Sequence, residues 1–285
     1  MGNEELNTGI TGDIESLEEE NRALKEDIKK LTAQRNHLQS QLSMAEKLKY
    51  HLMPNVYPPF PDVKSIDVFA DSIAIKQIGG DFYDIFRIDN DHIGIVMADI
   101  FDGGVASSLY MIAFKLYLTS QLNLEEETLP DRVETINNLL CWKNEDDLSL
   151  SAWYGVYEIS TGRVEAVNAG HDKPLILSKN GLKSIEDEKI DYLLGVIEGM
   201  KYESYEFTLD EGDKLLLYTD GVINAEGDDE AAYGIERLRE SFVNTGSKSA
   251  ESTVAALQSS FRSFVGNNAL GEDASFLCLA RKEGE

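Results

Sequence analysis

The stretch GGDFYDIFRIDNDHIGIVMADI, residues 79–100, decides the fold. Two apolar runs, 82–88 and 93–100, are rich in β-branched and aromatic residues and are separated by Asp89-Asn90-Asp91. Short Asp and Asn side chains bond their own backbone and suit a tight turn, so the stretch reads as a β-hairpin. Asp81 follows two glycines where the first run begins, and Asp99 stands where the second ends. Each acid is therefore projected from a rigid strand terminus.

Working outward, further β-type runs fall at 66–72, 151–159, 164–169, 174–178, 202–209, 214–219 and 275–280. Helical patterns occupy 105–121, 129–142, 233–244 and 250–265, and Asp210-Glu211-Gly212-Asp213 reads as a second hairpin turn. The strands arrive in blocks separated by helix pairs, which favours a layered α+β fold over a doubly wound parallel sheet. No internal repeat or low-complexity tract interrupts this pattern.

Ahead of it, residues 13–52 contain no Gly or Pro. With Ile14 at heptad position a, the a positions are Ile14, Asn21, Ile28, Arg35, Leu42 and Lys49, and the d positions are Leu17, Leu24, Leu31, Leu38, Ala45 and Leu52. One helix cannot bury that stripe alone, and Ile at a with Leu at d favours a parallel two-stranded coiled coil, its register fixed by Asn21. Glu20 at g and Lys25 at the following e offer one interchain ion pair. Arg35 and Lys49 weaken the C-terminal half of the seam. Pro54, Pro58, Pro59 and Pro61 then end the helix. The expected organisation is a disordered N-terminus over 1–12, a homodimerising coiled coil over 13–52, a proline-rich linker over 53–62 and a globular domain over 63–285.

The chain has 52 acids against 26 bases, a net charge of −26. Residues 13–52 carry 8 acids and 7 bases, and residues 1–12 carry 2 acids, so −26 + 1 + 2 = −23 lies on residues 53–285. Such a domain lacks the basic footprint that nucleic acid or an anionic membrane requires. No apolar segment suggests membrane insertion. Cys141 and Cys278 give no disulfide framework, and no leader is apparent at the N-terminus, which points to a cytoplasmic protein.

Acids beside glycine or small residues recur at the strand ends: Gly79-Gly80-Asp81, Ala98-Asp99-Ile100, Thr219-Asp220-Gly221 and Gly271-Glu272-Asp273. A single Asp before Gly commonly serves as a turn or cap. Several carboxylates without His or Cys partners suit a hard divalent ion such as Mg²⁺ or Mn²⁺, and two such ions can activate a water for attack on a phosphoryl group.

In order and spacing, Gly79-Gly80-Asp81-Phe82-Tyr83-Asp84, Gly94-Ile95-Val96-Met97-Ala98-Asp99, Asn168-Ala169-Gly170-His171 and Leu216-Leu217-Tyr218-Thr219-Asp220-Gly221-Val222 resemble the SpoIIE/RsbU-type branch of the metal-dependent (PPM, protein phosphatase 2C-like) serine/threonine phosphatases. The resemblance covers residues ~55–282. It implies a four-layer α-β-β-α sandwich, two Mn²⁺ or Mg²⁺ ions, and hydrolysis of phosphoserine or phosphothreonine. The substrate it implies is a STAS-type anti-sigma-factor antagonist in bacterial partner switching. It further implies that Asp81 holds a metal, that Asp99 bridges both, that the Ile100 carbonyl adds a backbone ligand, that Asp220 binds the second ion, and that Glu272 and Asp273 close the site.

Two departures stand out. Phe101 and Asp102 occupy positions where the family has small residues, and Glu272 replaces the first Asp of an Asp-Asp pair. They keep a second reading in view, a pseudophosphatase that binds phosphoprotein as a dimeric scaffold. Among the remaining residues, Asp84 reads as an orienting acid or a strand-edge hydrogen bond, His171 as a structural turn residue, Cys141 and Cys278 as small hydrophobes, and Trp142 and Trp153 as packing residues. Residues 227–230 read as a solvated loop near the site.

Overall fold

A computed structural model describes residues 2–74, 79–100, 104–121, 127–142, 144–145, 147–186, 188–228 and 231–283, with side chains from Leu17 onward. Phe101, Asp102, Asp229 and Glu230 lie outside the described residues. The chain divides into two compact units, 1–46 and 47–285.

The first unit belongs to α1 (Gly2–Leu52). The helix takes in residues 2–12, which were expected to be disordered. No proline occurs before Pro54, so nothing there removes a ladder donor, although Gly2, Gly9 and Gly12 each weaken the helix. Leu17, Leu24, Ile28, Leu31 and Leu38 are 53–63% exposed, so the heptad stripe lies bare on the single chain. The last turn behaves differently: Lys49 and Met53 are buried within the second unit.

The second unit follows as β1 (Ile66–Ile73), β2 (Phe82–Arg87), β3 (His92–Ile100), α2 (Val105–Ser120), α3 (Leu129–Cys141), β4 (Leu150–Glu158), β5 (Arg163–Ala169), β6 (Leu175–Ser178) and β7 (Gly181–Lys183). It closes with β8 (Ser204–Thr208), β9 (Lys214–Tyr218), α4 (Asp220–Asn224), α5 (Gly234–Val243), α6 (Ala250–Val265) and β10 (Ala274–Arg281). Two antiparallel five-stranded sheets result, ordered β1-β10-β9-β6-β7 and β2-β3-β4-β5-β8. Helices α2 and α3 cover the second sheet, α5 and α6 cover the first, and the two sheets face each other. This is the expected α-β-β-α sandwich.

Strands β9 and β10 explain why the inner layers read as continuous apolar runs. Leu215, Leu217, Leu277 and Leu279 point to the core between the sheets, whereas Leu216, Tyr218, Phe276 and Cys278 point to the core beneath α5 and α6. A strand buried on both faces has no polar side to alternate with. β7 and α4 were not foreseen, since three and five residues are too short to show a period. Among the described residues no helix is long and apolar enough to cross a membrane.

Pairing sets the ends of the strands. Phe82 opposes Ala98 and Tyr218 opposes Phe276, so the start of β2, the end of β3, the end of β9 and the start of β10 carry their flanking acids in register. In the same sheet as β2 and β3, the fully buried Trp153 donates its indole N–H to Tyr205 Oη at 2.8 Å. Tyr205→Phe strands that donor and is expected to cost about 1–3 kcal/mol, read as a lower urea midpoint at unchanged slope.

Candidate metal centre

Asp81 is 3% exposed, at the point where the Gly79-Gly80 turn enters β2. Its Oδ2 accepts hydrogen bonds from Thr219 Oγ1 at 2.7 Å and from Ser275 Oγ at 2.6 Å. Thr219 and Ser275 are themselves linked: Thr219 N–H donates to the Ser275 carbonyl at 3.2 Å, and Ser275 N–H donates to Thr219 Oγ1 at 3.0 Å. These two residues join β9 to β10 and grip the acid of β2. The sequence reading missed them, although each adjoins a predicted acidic motif.

The glycines mark close approaches. A Cβ added at Gly79 would lie 1.2 Å from Asp273 Oδ2, and one at Gly80 would lie 2.5 Å from the Ile100 carbonyl oxygen and 3.2 Å from Asp99 Oδ1. A Cβ at Gly221 would lie 2.0 Å from the Asp273 carbonyl oxygen and 3.2 Å from Glu272 Cβ. Only a residue without a side chain lets the four segments converge here. Asp220 opens α4, directly after the Thr219 N-cap, with Asn224 Nδ2 donating to its Oδ2 at 3.4 Å.

Burial raises the Asp81 carboxyl well above the usual range, and the charge of Asp99 raises it further despite the two hydroxyl donors. Burial likewise pushes Asp99 up to about 6, with Asp220, Glu272 and Asp273 adding repulsion against a hydrogen bond from Asp81. Asp172, just after the Asn168–His171 turn, also rises to about 6 through burial and the charge of Asp220. Among the described residues neither Asp81 nor Asp99 is paired with a cation. Mutual repulsion of oxygen-only donors is the condition that a divalent ion relieves, and the donor chemistry fits Mg²⁺ or Mn²⁺. As they stand, no three or more Asp, Glu, His or Cys side chains among the described residues form a group that would hold an ion.

Of the sequence candidates, Asp81, Asp99, the Ile100 carbonyl, Asp220, Glu272 and Asp273 all come to this edge. Asp84 does not: it accepts from Lys115 Nζ at 2.6 Å and from Ile85 N–H at 3.0 Å, tying β2 to α2. His171 is structural, as expected. Its N–H donates to Asn168 Oδ1 at 2.7 Å, Asn168 Nδ2 donates back to its carbonyl at 2.9 Å, and burial holds its ring down at about 4. A further residue was not foreseen here. Lys49, a heptad position of α1, is 9% exposed and donates from Nζ to the Gly79 carbonyl at 2.7 Å.

The sign of the Asp99 shift gives a test. Its folded pKa of about 6 exceeds the ordinary 3.8. The metal-free fold therefore holds a proton that the unfolded chain has released, and this contribution to stability is lost as pH rises through about 6. Asp99→Asn removes the repulsion, so EDTA-treated variant at pH 7 should melt higher than wild type by roughly 2–4 °C. The stabilisation of wild type by MnCl₂ should be absent in the variant; a lower melting point would show that repulsion does not govern Asp99.

Comparison with known proteins agrees with this geometry. Residues 89–282 match the family model described as Stage II sporulation protein E (SpoIIE), a span that includes every acid of the cluster except Asp81. Phosphoserine phosphatase RsbU of Bacillus subtilis is 26% identical over 164 residues, which cover 57% of this chain and 48% of RsbU. Protein IcfG of Synechocystis sp. is 26% identical over 209 residues, covering 63% of this chain and 32% of IcfG. The chain thus spans between about a third and a half of the curated relatives it matches. Among solved structures, the SiaA PP2C domain of Pseudomonas aeruginosa shares the fold with a TM-score of 0.76 at 14% identity, covering 87% of this chain and 98% of that domain. RsbX solved in complex with magnesium has a TM-score of 0.57 at 16% identity, covering 76% of this chain and 95% of RsbX.

Proposed function

The chain belongs to the Stage II sporulation protein E (SpoIIE) family, and on that footing we propose that it is a metal-dependent phosphatase acting on phosphoserine or phosphothreonine of a signalling protein. The observation that carries this reading is the convergence of buried Asp81 and half-buried Asp99, neither ion-paired among the described residues, with Asp220, Glu272 and Asp273 at one edge of the sandwich. Two divalent ions, Mn²⁺ or Mg²⁺, would supply there an activated water and a polarised phosphoryl oxygen.

The residues of the chain have separable tasks in this reading. Asp81 keeps one oxygen fixed by Thr219 and Ser275, which leaves the other for a metal. Asp99, hydrogen-bonded with Asp81 and under the charge of Asp220, would be a second metal ligand. The Ile100 carbonyl, packed on Gly80, contributes a neutral oxygen, and Asp220 with Glu272 and Asp273 completes the set. The wall of carboxylates repels a bare phosphate dianion, so substrate enters productively only once cations reverse the local field.

The names of the relatives support a protein substrate. RsbU and RsbP are phosphoserine phosphatases by name, and we assign this chain a STAS-type phosphoprotein substrate in a cytoplasmic partner-switching system. The bare Leu and Ile stripe of α1 supports a parallel homodimer through a coiled coil over 13–52, followed by the linker 53–62 and the phosphatase domain 63–285. Lys49 supports regulation by that helix, because its buried ammonium fixes the carbonyl two residues before Asp81.

Release of nitrophenol from p-nitrophenyl phosphate should require Mn²⁺ or Mg²⁺ and fall at least about a thousandfold in Asp99→Asn; metal-independent turnover, or none at all, would favour the scaffold reading. Lys49→Met in the full chain removes a charge-assisted hydrogen bond of about 1.5–3 kcal/mol. Metal titration of activity should shift to about tenfold higher concentration while the sedimentation coefficient stays that of the dimer. An unchanged titration would refute coupling through α1.

A further inference from the structure

The ends of β9 and β10 away from the carboxylates open onto a cavity of about 860 Å³. It is bounded by the start of β9, the end of β10, the β6–β7 turn and the α5–α6 loop. β9 spans five residues between the two ends, so the cavity is separated from Asp220 by roughly 15–20 Å of strand.

Its charge is opposite to that of the domain around it. Five cationic side chains line it against two acids, on a domain of net charge −23. The acids are committed elsewhere: Asp67 Oδ2 accepts from the Ala250 N–H at 2.8 Å, capping α6, and Glu283 pairs with Lys179 at 2.7 Å. The Arg281 guanidinium is turned toward the Leu209 and Thr161 carbonyls. Lys214, Lys248 and Lys282 are left without a salt bridge among the described residues.

Lys214 is the telling member. It is 4% exposed, and its ammonium donates to a neutral acceptor, Thr253 Oγ1, at 2.9 Å. Burial lowers its pKa, and neighbouring Lys248 lowers it further, against the Cys278 and Asp67 contributions that raise it. With only a hydroxyl as its direct partner and the Asp67 charge at a distance, the buried Lys214 ammonium gains from a further counter-charge. The walls beside it, Leu177 and Val243, are apolar. A pocket of this volume with one charged corner and an apolar wall has the dimensions of a small-molecule site.

We propose that this cavity binds a small phosphorylated organic anion of mononucleotide size, its phosphates on Lys214 and Lys248 and its organic part against Leu177 and Val243. The site is distinct from the carboxylate cluster, requires no divalent ion, and does not depend on the phosphatase reading. Helix α6 adds little to it, because Asp67 and Ser249 already cap its first turn.

Calorimetric titration of the EDTA-treated full chain with adenosine diphosphate tests this, with pyrophosphate, adenosine and a phosphoserine peptide as separate arms. Adenosine diphosphate should bind, pyrophosphate more weakly, and adenosine not at all. Lys248→Ala, an exposed position that folding tolerates, should weaken binding at least about tenfold, Lys214→Met should abolish it, and Asp220→Asn should leave it unchanged. A dissociation constant weaker than about 1 mM for both adenosine diphosphate and pyrophosphate would overturn the proposal. So would equal loss in Asp220→Asn, indifference to Lys248→Ala, or tighter binding of the phosphopeptide, which would make the cavity a protein-docking site.

Discussion

Everything at the working edge depends on holding like charges together. Asp81 is buried beside the half-buried Asp99, neither is ion-paired among the described residues, and Asp220 adds a third negative charge. Left to electrostatics the carboxylates would separate, because a like charge at a few ångströms inside protein costs several kcal/mol at intermediate dielectric. The sandwich prevents this with short-range contacts. Thr219 and Ser275 both donate to Asp81, and they are joined to each other by a backbone bond from Thr219 N–H and a bond from Ser275 N–H to Thr219 Oγ1. Moving Asp81 would break two hydroxyl bonds whose donors are themselves tied together.

That restraint works because the sheets behind it are rigid. β9 and β10 are packed on both faces, with Leu217 and Leu277 toward one core and Tyr218 and Phe276 toward the other. Close-packed layers transmit displacement instead of absorbing it. The Gly79-Gly80 turn is packed as closely, since a side chain at either glycine would meet Asp273 or Ile100. Lys49 touches this turn. A lysine that reads as a flaw in a heptad pattern is thus a contact between the end of α1 and the Gly79-Gly80 turn.

The fold was legible because its signals were long. Runs such as 93–100 and 275–280 are apolar throughout, and the two helix pairs carry a clear period, so layers and strand blocks could be read directly. β7 and α4 could not, each being shorter than two periods of its own pattern. The acids of the site were legible from their strand-end setting beside glycine. Thr219, Ser275 and Lys49 were not: a hydroxyl within a motif, or a lysine at a heptad position, has no signature of its own, and its role exists only once distant segments meet. The helical state of residues 2–12 escaped for a different reason. Glycine raises the cost of a helix without forbidding it, whereas proline forbids it.

The charge of the domain separates into two poles. At one end of β9 and β10 stands a cluster of mutually repelling carboxylates. At the other end, Lys214 and its neighbours create a site that attracts anions without metal. Since the same two strands carry both ends, charge bound at one pole acts on a body whose other pole is already under electrostatic strain. The fields themselves decay within about 10 Å at moderate salt where solvent intervenes. Coupling between the poles would therefore have to travel mechanically, along strands whose packing on both faces makes them stiff, and the Thr219–Ser275 junction is where such a displacement would reach Asp81.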